Sequence, residues 1–191
     1  WYDDLIKNDI SQAVYSYEMA KILSEEAMRL GKKAKIHIKV DTGMGRIGFQ
    51  PVKDNVEVIY AISRLPGIEI EGIFTHFARA DEKTIEPARE PFRKYITFVE
   101  ELEKRGVMIP IHHVSNSASI IGFSEANLDM VRSGITTYGL YPSNEVAKDV
   151  LILEPAMQWK SIISYIKTVE PGTSISYGGT FTAKEKMTVA T

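Results

Sequence analysis

The chain is 191 residues long, 44% hydrophobic and 25% charged, with a formal net charge of −2. Those proportions suit one globular domain or one and a part, and the charge balance gives no electrostatic reason to expect nucleic acid or an anionic membrane as partner. Cysteine is absent, which removes disulfides, thiolate catalysis and Cys-ligated metal and fits the cytoplasm; no apolar run approaches the ~18 residues of a membrane span.

Trp1-Tyr2-Asp3-Asp4 opens the chain without an initiator Met or a signal peptide. Met187-Thr188-Val189-Ala190-Thr191 closes it and reads as a strand cut short, so a piece of a longer polypeptide is expected. Residues 17–30 read as a helix, with Ser16 as N-cap and Gly31 just past the end. Residues 34–40 alternate as a strand does. Gly43, Gly45 and Gly48 then spell G-x-G-x-x-G, the spacing of a dinucleotide-binding turn. Local physics argues against that use. A first strand covered on both faces should be apolar up to the first glycine, yet Lys39, Asp41 and Thr42 stand there. Pro51 would also fall inside the helix such a motif must open, at a cost of roughly 3 kcal/mol. A tight loop that lets Lys39, Asp41 and Arg46 converge is the simpler reading.

A helix over about 54–64 carries Val58, Ile59 and Ile62 and ends at Pro66-Gly67; a strand follows over 68–76. The clearest helix is 89–105, where Phe92, Tyr95, Ile96, Val99 and Leu102 fall at i, i+3, i+4, i+7 and i+10, with Gly106 closing it. Short strands are expected near 111–115 and 128–132. Strand and helix alternating at this rhythm predict βαβ units and a parallel sheet. From about 151 the pattern changes: 157–169 and 185–191 read as strands with no helix between, and Pro171-Gly172 marks a turn. An α/β domain over 1–150 and the start of a β domain over 151–191 are expected.

Polar residues gather just past each predicted strand: Asp41-Thr42, His76, Asn116-Ser117 and Arg132-Ser133-Gly134. The C-terminal ends of parallel strands are where α/β barrels and open sheets place their active sites.

Five segments, in order, closely resemble signatures of the alanine racemase family: His37-Ile-Lys-Val-Asp-Thr-Gly-Met-Gly-Arg-Ile-Gly48, Thr75-His-Phe-Ala-Arg-Ala-Asp81, His113-Val-Ser-Asn-Ser-Ala118, Met130-Val-Arg-Ser-Gly-Ile-Thr-Thr-Tyr-Gly-Leu140 and Ser176-Tyr-Gly-Gly-Thr-Phe-Thr182. The resemblance implies the later strands of a (β/α)8 TIM-type barrel followed by the opening of a β domain. It implies a pyridoxal 5'-phosphate enzyme and homodimer that interconverts L- and D-alanine for cell-wall precursors, through an external aldimine and two opposed bases. A racemase for serine or a broader range of amino acids, and a non-catalytic assembly module, are the alternatives; a decarboxylase of the same fold would place a carboxylate, not Arg132, at the ring nitrogen.

By the same resemblance Ser117, Gly134 and Ile135 belong at the cofactor phosphate with Asn116 nearby, though Asn116-Ser117 also suits a helix N-cap, and a helix starting after Gly134 would add its dipole. Arg132 would face the pyridine nitrogen, as a cation that donates without yielding its proton, with His76 hydrogen-bonded to it; His37 and His113 read as core or supporting groups. Arg46 would take the substrate carboxylate, and Lys39 matches a lysine that can be carbamylated in this family. The four histidines have no metal-site spacing. Neither the family's cofactor lysine, in an Ala-Asn-Ala-Tyr-Gly-type motif, nor its tyrosine base, in a Gly-Tyr-Ala-Asp motif, occurs in these residues. The 191-residue chain is therefore expected to be inactive alone, and an incomplete barrel with open sheet edges is expected to self-associate or seek a partner.

Overall fold

The computed structural model describes all 191 residues. They form two compact units, Trp1–Ala156 and Met157–Thr191, where the sequence pattern sets the change at about residue 151.

The first unit is built on one parallel sheet, order β1-β2-β3-β4, with strands Gln12–Val14, Ala34–Lys39, Ile68–Phe74 and Ile111–His113. Helices α1 (Tyr2–Lys7), α2 (Tyr17–Leu30), α3 (Lys53–Ser63), α4 (Glu86–Lys104) and α5 (Ser117–Gly122) alternate with the strands, so the expected parallel α/β architecture is the observed one. α2 has the predicted limits: the Ser16 hydroxyl accepts from the Met19 N–H at 3.2 Å, and Gly31 ends it at φ 62°. α4 starts three residues earlier than its apolar period suggests (Glu86 rather than 89), because Pro87 sits in the first turn, where its missing N–H removes no bond.

Val14, Ile36, Ile38, Val40 and Ile73 are fully buried and share one core with Leu23 and Ala27 of α2, Ile59 and Ile62 of α3, and Tyr95, Val99 and Leu102 of α4. Tyr95 is enclosed and donates its hydroxyl to the Ile73 carbonyl at 2.9 Å, which satisfies the one polar atom that burying a tyrosine there brings inside. The other face of the sheet is polar. Lys39, Phe74 and His113 lie side by side in register, and His37 pairs with Gly72 one step back. One face made by α-helices and one face left for polar chemistry is what positions the site.

Three expectations need correction. Residues 128–132 do not form a strand. Only the Asp129 and Arg132 N–H groups reach β4 carbonyls or their continuation, at His112 and Ser115, and the Asp129 carboxylate takes the His112 N–H at 2.8 Å. A side chain thus occupies the donor that a backbone ladder would need. The helix expected after Gly134 is a single 3-10 turn, Ile135–Tyr138, too short to bring a sizeable dipole. In the second unit only Ile166–Val169 (β5) of the expected 157–169 strand is paired, against Met187–Ala190 (β8), and Ser174–Ile175 (β6) pairs Phe181–Thr182 (β7). Four residues of partner can order only four residues of strand. α1 and β1 were not foreseen.

Candidate functional site

Strands β2, β3 and β4 release the chain side by side. After β2 the three glycines take φ of 143°, 68° and 133°. The loop turns back on its own strand: the Phe49 N–H donates to the Lys39 carbonyl at 2.8 Å and the Asp41 N–H to the Phe49 carbonyl at 2.9 Å. The Asp41 carboxylate accepts from the N–H groups of Gly43 and Gly45, each at 3.0 Å. Burial pushes that carboxyl up, but those N–H groups and the Lys39 charge outweigh it and hold it below the usual carboxylate range. No helix begins until Lys53, beyond Pro51. The glycine spacing therefore serves a carboxylate-centred loop and not a dinucleotide turn.

That loop closes over Lys39, which is 2% exposed. Its amine donates to the Val40 carbonyl at 2.6 Å and lies 5.6 Å over the Phe74 ring. Burial first, then the charges of Arg46 and Arg132 against the opposing pull of Asp41, bring its pKa down to about 8. That lowering favours the neutral, nucleophilic form of the amine more than in an ordinary lysine. Arg46 itself is exposed on the loop.

Beyond β3, the Thr75 and Thr42 hydroxyls meet at 2.8 Å and tie this exit to that of β2. His76 follows, half-buried, with its pKa lowered to about 4 by burial and then by Arg132, Arg46 and Lys39. Beyond β4, Asn116 caps α5. Its side-chain oxygen accepts from the Ser119 N–H at 3.1 Å and from the Ser119 hydroxyl at 2.9 Å, and its amide donates to the Phe77 carbonyl at 3.2 Å. The N-cap reading of Asn116 holds, and the cap leaves Ser117 in the first turn with its hydroxyl turned to the next segment. Ser117 Oγ accepts from the Gly134 N–H at 2.9 Å and from the Thr136 hydroxyl at 3.1 Å. Its own proton remains free to donate.

Arg132 joins these exits. Its guanidinium donates to His113 Nδ1 at 2.7 Å and to the carbonyls of Thr75 at 2.8 Å, His113 at 3.0 Å and Val114 at 3.3 Å. His76 Nδ1 stands 3.4 Å away. The Phe74 ring, stacked on His113 with centroids 4.7 Å apart, lies under the guanidinium at 5.2 Å. Burial lowers the Arg132 pKa, with Tyr95 opposing, and the group stays a cation throughout the physiological range.

A cavity of about 340 Å³ opens here, lined by His76, Asn116, Ser117, Arg132, Gly134 and Ile135 among others. All six residues assigned to a cofactor from the sequence share this wall. Lys39 and Arg46 do not line it; they lie beside it and are felt through their charges. A larger hollow of about 590 Å³ lies between α3 and α4, lined by residues such as Lys53, Glu90 and Arg93, and none of the candidate cofactor, substrate or carbamylated residues borders it. The sequence reading did not single out Thr75, Glu71 or Thr136. Thr75 could have been found as one more polar residue at a predicted strand end, whereas nothing local marks Glu71 or Thr136.

The family model described as alanine racemase, N-terminal domain, matches residues 2–142, and that for the alanine racemase C-terminal domain matches residues 156–191. An alanine racemase of Clostridium tetani is 49% identical over 186 residues, covering 97% of this chain and 48% of that protein. The solved alanine racemase of Clostridium difficile 630 superposes with a TM-score of 0.89 at 48% identity, covering 99% of this chain and 50% of that one. A further structure of that protein, described as a complex with cycloserine, matches at a TM-score of 0.84 and 46% identity over 90% of this chain and 48% of its own. The chain thus spans about half the length of the curated relatives it matches.

Proposed function

The chain belongs to the alanine racemase family, and from that premise we propose that it supplies the cofactor-anchoring half of an enzyme that interconverts L- and D-alanine. The observation that carries this reading is the cavity wall in which Ser117, Gly134, Ile135, His76 and Arg132 meet at the strand ends. Residues of this kind fit pyridoxal 5'-phosphate. Ser117 Oγ accepts from the Gly134 N–H and the Thr136 hydroxyl, which leaves its own proton to donate to a phosphate. When bound, the cofactor withdraws electron density from the substrate α-carbon and so loosens its proton.

The chain's own groups have defined tasks in this proposal. Ser117 and the N–H of Ile135 hold the phosphate; Asn116 fixes the α5 entry that aims Ser117. Arg132 donates to the ring nitrogen and does not protonate it, which moderates the withdrawal and keeps the reaction to proton exchange. Arg46, exposed on the loop, receives the substrate carboxylate. The neutral Lys39 amine would add carbon dioxide and release a proton to solvent, giving a carbamate anion that holds Arg46 in place. The proton-transfer bases come from outside these residues, in a cytoplasmic homodimer that feeds cell-wall synthesis.

An oxidase-coupled assay of D-alanine formation tests this. The expected results are turnover of L-alanine by the polypeptide that carries both bases, and no turnover above background by the 191-residue chain. Turnover by the chain alone, or faster racemisation of serine than of alanine by the longer polypeptide, overturns the proposal.

A further inference from the structure

Arg132 is half-buried and appears in no salt bridge, yet a buried cation needs a compensating charge or a full set of acceptors. Three carbonyls supply part of that need. The remainder leads away from the cavity through two imidazoles. His113 Nδ1 accepts from Arg132 at 2.7 Å. His113 Nε2 meets His37 Nδ1 at 2.7 Å. His37 Nε2 meets the Glu71 carboxylate at 3.0 Å, which also accepts from the Ser11 hydroxyl.

The direction of every bond in this line follows from its ends. Guanidinium has no acceptor, so His113 Nδ1 must be a bare lone pair. The His113 proton then sits on Nε2 and points at His37. His37 Nδ1 must accept it, so the His37 proton sits on Nε2 and points at Glu71, an ionised carboxylate that can only accept. Three donors in series, Arg132, His113 and His37, run towards Glu71. Because arginine does not release its proton, the line cannot carry a proton; it is a set of fixed dipoles.

The backbone is shaped for it. A β-bulge between β2 and β3 advances the register from Ile36↔Ile70 to His37↔Gly72. That extra residue is Glu71, and the bulge turns its side chain to the polar face beside Gly72. A Cβ on Gly72 would lie 2.4 Å from His37 Nδ1, so only glycine lets the imidazole cross β3 to reach His113.

We propose that Glu71 is the counter-ion of Arg132, acting through His37 and His113, and that it is a positioning residue for the guanidinium that faces the cofactor ring. The role at the ring rests on the racemase reading; the line of dipoles does not.

The test is ring-15N spectroscopy of histidine-labelled protein at pH 7, without cofactor, on the wild type, Glu71→Ala and Glu71→Gln. Wild type should show both His37 and His113 as neutral rings protonated on Nε2. Glu71→Ala should shift the His37 Nε2 and His113 Nδ1 resonances, and Glu71→Gln, whose amide oxygen still accepts, should restore the wild-type tautomers but, lacking the charge, only part of the cofactor affinity. Pyridoxal 5'-phosphate affinity should then fall roughly tenfold in Glu71→Ala, the worth of one charged hydrogen bond. His37 protonated on Nδ1 in the wild type, or Glu71→Ala spectra and affinity equal to wild type, overturns the proposal. Wild-type tautomers as stated with no cofactor binding leave the dipole line standing and remove the cofactor reading instead.

Discussion

Replacing Arg132 with alanine is expected to lower the unfolding midpoint by roughly 6–12 °C, and Arg132→Lys to recover less than half of that. The guanidinium fork is shared among the carbonyls of Thr75, His113 and Val114 and the His113 ring. It therefore fastens the exit of β3 to that of β4, where the sheet has no further strand to hold it. A hydrogen bond to a charged group is worth about 1.5–3 kcal/mol. Water replaces part of what is lost at a half-buried position, which leaves about 3 kcal/mol. Lysine keeps the charge but not the planar fork, so it satisfies fewer of the acceptors at once.

The same variant should change the response to acid. His76 and His113 have folded pKa values of about 4 and about 3, below the ordinary 6.5, through burial first and then the Arg132 charge. The folded state thus binds fewer protons than the unfolded state between pH 6.5 and about 3. Stability from these rings is fully present above the unfolded value and is lost as pH falls through that window. Without the Arg132 charge both pKa values rise towards the ordinary one. The acid loss becomes shallower but does not vanish, since burial remains. Urea unfolding at pH 7 and pH 5 measures both effects; equal slopes of stability with pH in the two proteins would contradict this account.

Gly48→Ala is expected to cost about 3–5 kcal/mol, while Gly45→Ala, in the same loop, costs about 1 kcal/mol. Gly48 has φ 133°, outside even the left-handed region that some side chains tolerate. A Cβ there would lie 2.7 Å from the Asp41 nitrogen, 2.8 Å from the Val40 carbonyl carbon and 3.0 Å from the Lys39 oxygen. These are backbone atoms of the Val40↔Phe49 bridge, so nothing can rotate aside. Gly45 has φ 68° and open space around it, and alanine there suffers the backbone strain alone. Paired urea titrations separate the two; similar losses at both positions would mean that close approach at Gly48 is not what the loop requires. Because the displaced atoms belong to Lys39 and Asp41, Gly48→Ala should also disturb the site.

What was legible in the sequence follows from how locally each feature is determined. α2 carries its cap, its apolar period and its terminal glycine within one segment, and it was read to the residue. The meeting of Ser117, His76 and Arg132 was legible because parallel topology puts every strand exit at one end of the sheet. β1 was not, since three residues, Gln12–Val14, carry too little pattern and form only by pairing with β2. Leu128–Arg132 has strand-like side chains, but its backbone was outcompeted by a single carboxylate, Asp129. The partners of His37 and His113 were equally hidden. A β-bulge at Glu71 shifts one strand by one residue, and no periodicity in a single chain announces that shift.

The proposal about the cavity is tested most directly by a crystal structure of the protein soaked with pyridoxal 5'-phosphate. The account predicts the phosphate within about 3 Å of Ser117 Oγ and the Ile135 N–H, and the ring nitrogen at the same reach from the Arg132 guanidinium. Density for the cofactor in the hollow between α3 and α4, or with its phosphate on Arg132 and its ring turned away, would contradict it.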